Sequence, residues 1–165
     1  MRGGDATAVA GIRVGIDQLR ELNWNYWATR LCLLAAEEGA GRGYMAEARD
    51  WLKQARILVE SLGQGFCAPE LHRVTAVVLG AENAATTQVG ASLWRAIEAA
   101  REQSARWAEL RCSTSLARLL RDQGKVCEAL ALLSPVLASF AEGMDLSDLV
   151  AAAQLVNSLR SAASG

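Results

Sequence analysis

The fold class is most evident in residues 110–133, LRCSTSLARLLRDQGKVCEALALL. A helical pattern over residues 105–122 is followed by Gly124, and glycine is common just after a helix. In the next helical stretch Ala129, Leu133 and Val136 stand at positions i, i+4 and i+7, which share one face of a helix. The sequence here predicts two helices joined by a short turn, and the second helix should bury that face.

The second of these helices belongs to an internal repeat. Four segments align: AVAGIRVGIDQL from residue 8, AEARDWLKQARIL from residue 46, VGASLWRAIEAA from residue 89 and ALALLSPVLASF from residue 129. Their small or apolar anchors are Ala8, Ala48, Val89 and Ala129, and the middle interval is one residue longer than the other two. Four and seven residues after the anchors, the pattern continues with Ile12, Leu52, Leu93 and Leu133 and with Gly15, Ala55, Ala96 and Val136.

The repeat predicts one all-α domain over residues 1–165, built as a solenoid of antiparallel helix pairs. Within each pair we name the first helix A and the second B. A lone B helix is expected at 8–22, pairs at 24–62, 68–104 and 105–141, and a C-terminal capping helix at 145–162. Gly39, Gly80 and Gly124 should end the three A helices, and Asp145 should be the N-cap of the last helix.

Composition excludes several classes of protein. With 17 Lys and Arg against 18 Asp and Glu, the net charge of −1 gives no overall attraction to nucleic acid or to an anionic membrane. The apolar runs are shorter than the roughly 20 residues of a membrane span. Four scattered cysteines without a CxxC pair predict reduced thiols and a cytoplasmic protein.

Residues 110–133 resemble the tetratricopeptide consensus. Leu116 and Ala117 match its Leu–Gly pair, Leu120 stands in place of an aromatic residue, and Gly124 and Ala129 match its turn glycine and small contact residue. The resemblance implies a right-handed superhelix whose A helices line a concave, ligand-binding face. The period of about 40 residues exceeds the usual 34 and therefore predicts longer helices or longer loops.

Two longer stretches, PELHRVTAVVLG at 69–80 and WAELRCSTSLARLLRDQGK at 107–125, are similar to the C-terminal helical repeats of large bacterial signalling ATPases. In that family a nucleotide cyclase or a winged-helix DNA-binding domain precedes the ATPase. The resemblance covers roughly residues 8–145 and is strongest over 66–143. The chain contains no GxxxxGK[ST] phosphate-binding loop, so the resemblance concerns the repeats alone.

The resemblance implies a set of binding residues on the A helices: Arg30, Glu37, Glu70, Arg73, Arg111, Thr114 and Arg118. Arginines outnumber acids here, and guanidinium groups bind carboxylates with two parallel hydrogen bonds. The groove would therefore suit an acidic peptide or a carboxylate terminus of a partner protein. The alternative is that these are solvated helix charges with local partners such as Glu109 or Asp122.

No catalytic or metal site is expected, and no cofactor. His72 is the single histidine, so a two-histidine metal site cannot form, and a surface position beside Glu70 and Arg73 is the simpler interpretation. The glycines of EEGAGRGY at 37–44 follow a helix rather than a strand, which predicts an inter-helix turn instead of a phosphate-binding loop. Five tryptophans in successive helices predict core packing, with Trp24 partly exposed.

Two functions from different classes remain open. The first is a non-catalytic interaction or scaffolding module of a bacterial signalling or transcription-regulatory system, and the alternative is a small-molecule sensor that regulates a separate output domain. A closed apolar pocket would favour the sensor, and an open charged groove would favour the scaffold. Val14 and Leu22 add apolar surface to the first helix, which predicts a homodimer, or docking of a separate chain, through this N-terminal helix.

Overall fold

The computed structural model describes residues 3–143 and 145–163, with side chains from residue 10 onward. This part of the chain contains helices and no strand, which confirms the all-α prediction. The helices are α1 Gly3–Glu21, α2 Asn25–Gly41, α3 Met45–Ser61, α4 Ala68–Ala81, α5 Thr86–Glu102, α6 Arg106–Asp122, α7 Val126–Ala138 and α8 Ser147–Ala163. A short 3₁₀ turn, Gly65–Cys67, precedes α4. None of these helices is long and apolar enough to cross a membrane.

The helices pack in chain order, as expected of a helical repeat. Each of α2, α4 and α6 packs on the helix that follows it, and α2, α4, α6 and α8 also pack on one another in succession. We call these four the A helices and α1, α3, α5 and α7 the B helices. The buried side chains form two clusters that meet in α4, where Val78 belongs to one cluster and Ala76 to the other.

The repeat register describes burial correctly from α3 onward. Leu52, Leu93 and Leu133 are all buried, and so are the small residues three positions after each. The first repeat differs, because Ile12 is 39% exposed although its counterpart Leu133 is 0% exposed. α1 packs mainly on α2, and its Arg13 reaches α3 by an ion pair of 2.9 Å to Asp50. The prediction that Ile12 is buried like its counterparts is therefore wrong.

The same backbone capping motif ends every helix from α1 to α6. A residue in the left-handed conformation follows each helix, at positions 23, 43, 63, 83, 104 and 124, which are almost evenly spaced along the chain. The N–H of the next residue then donates to a carbonyl five residues back, as in Lys125 N to Leu120 O at 2.9 Å. At four of these turns the same residue begins the next helix with its own carbonyl, as Lys125 does for Ala129.

A variation of this motif also explains why the interval from Ala48 to Val89 is one residue longer than the intervals before and after it. After Asn83 the chain inserts an additional residue, so the carbonyl of Ala85 rather than that of Ala84 accepts the first hydrogen bond of α5. Val89 and every later repeat position are shifted by that one residue. The shift changes no helical face, because it occurs before α5 begins.

Two of the predicted helix-ending glycines lie inside helices. Gly39 and Gly80 belong to α2 and α4, and the left-handed positions are taken by Gly43 and Asn83. Gly39 faces α3, where a Cβ atom would make a contact of 3.4 Å with the Cβ of Ala48. Gly124 does adopt the left-handed conformation, with φ of +75°. Of the glycine-rich segment 37–44, the part beyond Gly41 forms a turn.

Two further local predictions are wrong. Asp145 is not the N-cap of α8, because the carbonyl of Leu146 accepts the first hydrogen bond, from Val150 N at 2.9 Å. Most tryptophans predicted for the core are not in it: Trp51 is buried, whereas Trp27, Trp94 and Trp107 are exposed. Trp24 is exposed as predicted. The buried positions of the A and B helices are instead mostly alanine, leucine and valine.

The structure leaves all four cysteines as free thiols. Cys32, Cys67 and Cys112 are buried and Cys127 is exposed. Burial raises the pKa of the Cys32 and Cys112 thiols to about 12, which keeps both protonated and unreactive near neutral pH.

The left-handed turns can be tested at Ser104, which has φ of +52°. The left-handed conformation costs a residue with a side chain about 1–2 kcal/mol of free energy, and it costs glycine little. Glycine offsets part of this gain because it has more conformational freedom in the unfolded chain. We expect Ser104→Gly to raise the free energy of unfolding by about 0.5–1 kcal/mol in urea titrations. Ser158→Gly, the same change inside α8, should lower it by about 0.5 kcal/mol. Destabilisation by Ser104→Gly would contradict the turn geometry.

The repeat register can be tested with two equivalent residues. Leu133→Ala should lower the free energy of unfolding by about 2–5 kcal/mol, because it leaves a cavity in the core. Ile12→Ala should cost only about 1 kcal/mol, because much of that side chain is already in water. Urea unfolding of both variants at low protein concentration measures the difference. Equal losses would mean that Ile12 is covered in solution.

Candidate interaction groove

All seven predicted binding residues lie on three consecutive A helices. Arg30 and Glu37 are on α2, Glu70 and Arg73 on α4, and the remaining three on α6. They line two neighbouring cavities of about 450 and 160 Å³. Arg111 belongs to both cavities and so lies between them. We call the two cavities together the groove.

Arg73 is the centre of the groove and is held by two carboxylates. Its Nη1 donates to Glu37 Oε1 at 2.8 Å and its Nη2 to Glu37 Oε2. Its Nε and Nη2 also donate to Glu70, at 3.0 and 2.9 Å. Arg73 is 5% exposed and Glu70 8% exposed, so these two residues hold the A helices together. Both residues nevertheless line the groove, and their direct contact with a ligand stays a prediction.

Glu70 also holds two more arginines from the neighbouring A helices. Arg111 Nη1 lies 3.1 Å and Arg30 Nη1 3.9 Å from Glu70 Oε1. Arg111 Nε is 3.6 Å from Asp148 Oδ2 on α8. A single carboxylate thus connects α2, α4 and α6, and Arg111 extends the connection to α8.

The local partners that the sequence suggested for these arginines are wrong. Glu109 pairs instead with Arg101 at 2.7 Å, and Asp122 pairs with Arg121 at 2.9 Å. Both of those pairs are on the surface outside the groove. Arg30, Arg73 and Arg111 each find an acid on an adjacent A helix, a relation that separations along the chain do not reveal, and Arg73 also pairs with Glu70 on its own helix.

The pKa values of this network follow from its geometry. Burial by itself would raise the pKa of Glu70, but hydrogen bonds from Arg73 and the charges of Arg73, Arg111 and Arg30 together hold it below its usual value. Burial would lower the pKa of Arg73, and the hydrogen bonds to Glu37 and Glu70 raise it instead. Glu70 and Arg73 are therefore both charged at neutral pH.

The two other predicted residues on α6, Thr114 and Arg118, differ in how accessible they are to a ligand. Thr114 is buried, and its hydroxyl donates to the carbonyl of Leu110 at 2.7 Å, which occupies its proton. Arg118 is exposed and makes no ion pair with a described residue. Of the seven, Arg118 is thus the most available to a ligand, and Arg30 and Arg111 are partly available.

The groove also has an aromatic wall, which the sequence analysis missed. Tyr26, Phe66 and Trp107 all line the larger cavity and are exposed. The rings of Tyr26 and Phe66 are 5.6 Å apart between centroids. Trp107 is braced by an edge contact with Phe140 at 5.8 Å, and the Arg106 guanidinium lies 4.9 Å from the centroid of that Phe140 ring.

These three aromatics follow the repeat. Positions 26, 66 and 107 have the same spacing as the first three anchors, with the second interval again one residue longer than the first. Each is the third residue after a left-handed turn residue, at Asn23, Gly63 and Ser104. Aligning aromatic residues as well as small ones on the repeat would have found them.

The groove is more positive than the chain as a whole. Its lining contains five arginines and three carboxylates, namely Arg30, Arg73, Arg106, Arg111 and Arg118 with Glu37, Glu70 and Asp148. This gives a local charge of +2 on a chain whose net charge is −1. The excess charge favours anionic ligands at short range.

Other candidate chemistry lies outside the groove. His72 is half-buried, and burial together with the charges of Arg95 and Arg56 lowers its pKa. Its carbonyl accepts a hydrogen bond from Ser92 on α5 at 2.8 Å, and the two arginines that act on its ring are on the B helices α3 and α5. Within residues 3–143 and 145–163, no group of three His, Cys, Asp or Glu side chains could hold a metal ion.

Comparison with protein-family models, with curated proteins and with solved structures found no match. The resemblance to tetratricopeptide repeats and to bacterial signalling ATPases therefore stays a prediction from the residues quoted above.

The charge network predicts an acid-sensitive fold. Because the pKa of Glu70 is lowered from 4.5 on folding, its contribution to stability is complete above that pH and is lost as the pH falls through the lowered value. At pH 7, Glu70→Gln should cost about 3 kcal/mol, because it leaves buried arginines with fewer partners. The cost should shrink below about pH 4.5, and Arg118→Gln should cost almost nothing at any pH. Urea unfolding from pH 3 to 7 tests both variants.

Proposed function

We propose that the chain is a protein-interaction module that binds an acidic peptide segment in the groove. The observation that carries the proposal is the aromatic wall of Tyr26, Phe66 and Trp107 beside a surplus of arginines. Aromatic rings supply apolar contact area, and guanidinium groups supply oriented hydrogen bonds to carboxylates. Such combinations of Tyr, Trp and Arg are common where proteins bind one another tightly.

The buried network supports this function by fixing the binding groups in advance. Arg73 holds Glu70, and Glu70 in turn orients Arg30 and Arg111 from either side. Side chains that are already ordered lose less entropy when a ligand binds. In this scheme Arg73 and Glu70 position the binding residues, while Arg30, Arg106, Arg111 and Arg118 contact the carboxylates.

The shape of the groove favours a peptide over a small molecule. The aromatic wall is exposed, and the lining carries both signs of charge rather than a closed apolar surface. The sensor alternative needs a ligand enclosed on most sides. An extended segment lying across α2, α4 and α6 would instead place successive side chains against the repeated aromatics.

By the resemblance described above, the module would form a right-handed tetratricopeptide-like superhelix in the cytoplasm of a bacterium, within a signalling or transcription-regulatory system. It would act without catalysis. Purified protein is then expected neither to hydrolyse ATP nor to form cyclic nucleotides, and turnover that follows the protein through purification would contradict this part of the proposal.

Two variants test the groove with matched controls. Trp107→Ala should weaken binding of an acidic, aromatic-containing peptide about tenfold or more, as expected for truncation of an interface tryptophan. Arg118→Glu should weaken it less and should reduce its dependence on salt. The controls are Trp94→Ala and Arg95→Glu, exposed residues of the same types on α5. Fluorescence anisotropy with a library of labelled acidic peptides measures the affinities.

Binding that responds equally to the α5 controls would place the ligand elsewhere. Charge reversal at Arg111 is unsuitable for this test, because it would replace a cation that lies 3.1 Å from Glu70 by an acid and so disrupt the network. Tight binding of a small neutral ligand, with no peptide bound, would favour the sensor function instead.

A further inference from the structure

A further cavity lies outside the groove, between α3 and α4. Its volume is about 310 Å³, and three of its lining residues are apolar, namely Leu52, Val78 and Leu79. It shares no lining residue with the groove. Thr75, which lines it, is two residues after Arg73 on α4, and residues two apart on a helix do not face the same direction. We call it the α3–α4 cavity.

Three cations from one face of α3 line this cavity. Arg49, Lys53 and Arg56 stand at positions i, i+4 and i+7, and all three are exposed. Arg49 donates to Glu82, the one acid among the lining residues. Lys53 and Arg56 make no ion pair with a described residue. Three cations and one carboxylate give the lining a charge of +2, although like charges at this spacing destabilise a helix.

One of these cations stands where the other repeats have a core residue. Eight residues after each anchor, the chain has Ile16, Arg56, Ile97 and Leu137. The two isoleucines are 1% and 0% exposed and Leu137 is half-buried, whereas Arg56 is exposed. The equivalent cavity between α7 and α8 has Ser134 and Leu137 in place of Lys53 and Arg56. The unpaired cations are therefore a property of the α3–α4 cavity and are not required by the packing of the repeat.

His72 on α4 experiences the positive charge around this cavity. It is three residues before Thr75, and residues three apart are neighbours on a helix. Burial lowers the pKa of His72, and the charges of Arg95 on α5 and Arg56 on α3 lower it further. Arg95 also makes no ion pair with a described residue. Positive charge that no carboxylate neutralises thus reaches α4 from the helices before and after it.

We propose that the α3–α4 cavity binds an organic phosphate, a phosphomonoester. Its phosphate group contacts Lys53 and Arg56, and its carbon skeleton lies against the apolar lining. At neutral pH a phosphomonoester carries a charge of about −1.5 to −2, which matches the surplus of the lining, whereas a carboxylate would match only half of it. Arginine binds phosphate with two parallel hydrogen bonds, and lysine binds it as a point charge. The volume lies at the lower end of the range of about 300–1,000 Å³ for small-molecule sites.

NMR titration of the ¹⁵N-labelled full chain with n-butyl phosphate at neutral pH tests the site. The amides of Thr75 and Val78 should shift and saturate with a dissociation constant of about 1 mM or lower. The amide of Ala108, which lines the groove, reports binding there instead. Butyl phosphate should bind about tenfold more tightly than inorganic phosphate, as expected if roughly two methylene groups are buried. Equal affinity for the two would contradict the contact with the apolar lining.

Two variants remove the cations. Lys53→Gln with Arg56→Gln should weaken binding of butyl phosphate about tenfold or more, because the charged contacts are lost. Arg56→Ile, which has the residue found at positions 16 and 97, should weaken binding as well and should unfold at the same or a higher urea concentration than the wild type. The matched control is Arg118→Gln, an exposed arginine of the groove, which should leave the affinity measured at Thr75 and Val78 unchanged.

His72 gives an independent measurement, because it is the only histidine of the chain and its ring signals are easily assigned. Arg56→Gln should raise the pKa of His72, since it removes one of the two charges that lower it. Arg118→Gln should leave that pKa unchanged. An unchanged pKa of His72 in Arg56→Gln would mean that Arg56 does not reach this part of α4.

A phosphoserine peptide and its unphosphorylated counterpart, followed at the same two amides, distinguish the sources of the phosphate. Tighter binding of the phosphopeptide than of butyl phosphate would assign the site to a phosphorylated protein, and weaker binding would assign it to a free metabolite. The proposal is overturned if the amides of Thr75 and Val78 do not shift or do not saturate, or if only Ala108 responds. It is also overturned if the Lys53 and Arg56 double variant binds as tightly as the wild type.

Discussion

The hydrogen bond from the residue after each left-handed turn position to a carbonyl five residues back sets the geometry of the array. It ends one helix, and at most of the turns the same residue starts the next, so the path of the chain reverses over a very short turn. Because the turn recurs at nearly regular intervals, twice in each repeat, equivalent side chains return to equivalent faces two helices later. The small buried anchors, the groove charges and the aromatic wall are all consequences of that return.

The charge network is the second constraint, and it acts across the array rather than along the chain. Burying Arg73 and Glu70 costs free energy that their mutual attraction must offset, and an apolar pair of the same size would often be as stable. What the ion pairs add is a defined relative position of the helices. A guanidinium with two carboxylates has one good arrangement, so Arg73 fixes how far α2 and α4 slide past each other. The contacts of Glu70 with Arg30 and Arg111 add α6 and hold both arginines at the groove.

Much of the fold could be predicted from the sequence because the repeat is dense in small and apolar anchors. Leu93 and Leu133 report burial through spacing alone, since their surroundings recur with them. The spacing does not predict the exposure of Ile12 correctly. The helix that would cover this residue has no counterpart among the described residues, and a sequence pattern does not show which neighbours a residue has. Gly39 and Gly80 were misassigned for another reason: glycine also occurs inside helices, and Asn83 can adopt the left-handed conformation in place of a glycine.

The location of the candidate groove could be predicted from the sequence, but the role of each residue in it could not. The sequence assigned its seven residues to one surface, and the structure brings them together. Which of them can contact a ligand depends on their partners within and between helices. Arg73, for example, binds one acid three residues away on its own helix and another 36 residues away on α2. The aromatic wall was missed because exposed rings such as Tyr26 resemble core residues when composition alone is considered.

The order in which the helices pack also shapes how the chain folds. Every extensive helix–helix contact of the described residues joins helices no more than two places apart along the chain. Such local contacts close short loops, and proteins built from them fold quickly, commonly within microseconds to milliseconds. The array can also open one helix at a time from its ends. α1, which packs mainly on α2, is the first to open, so its amides exchange with solvent sooner than those of α4 to α6, where the cores meet.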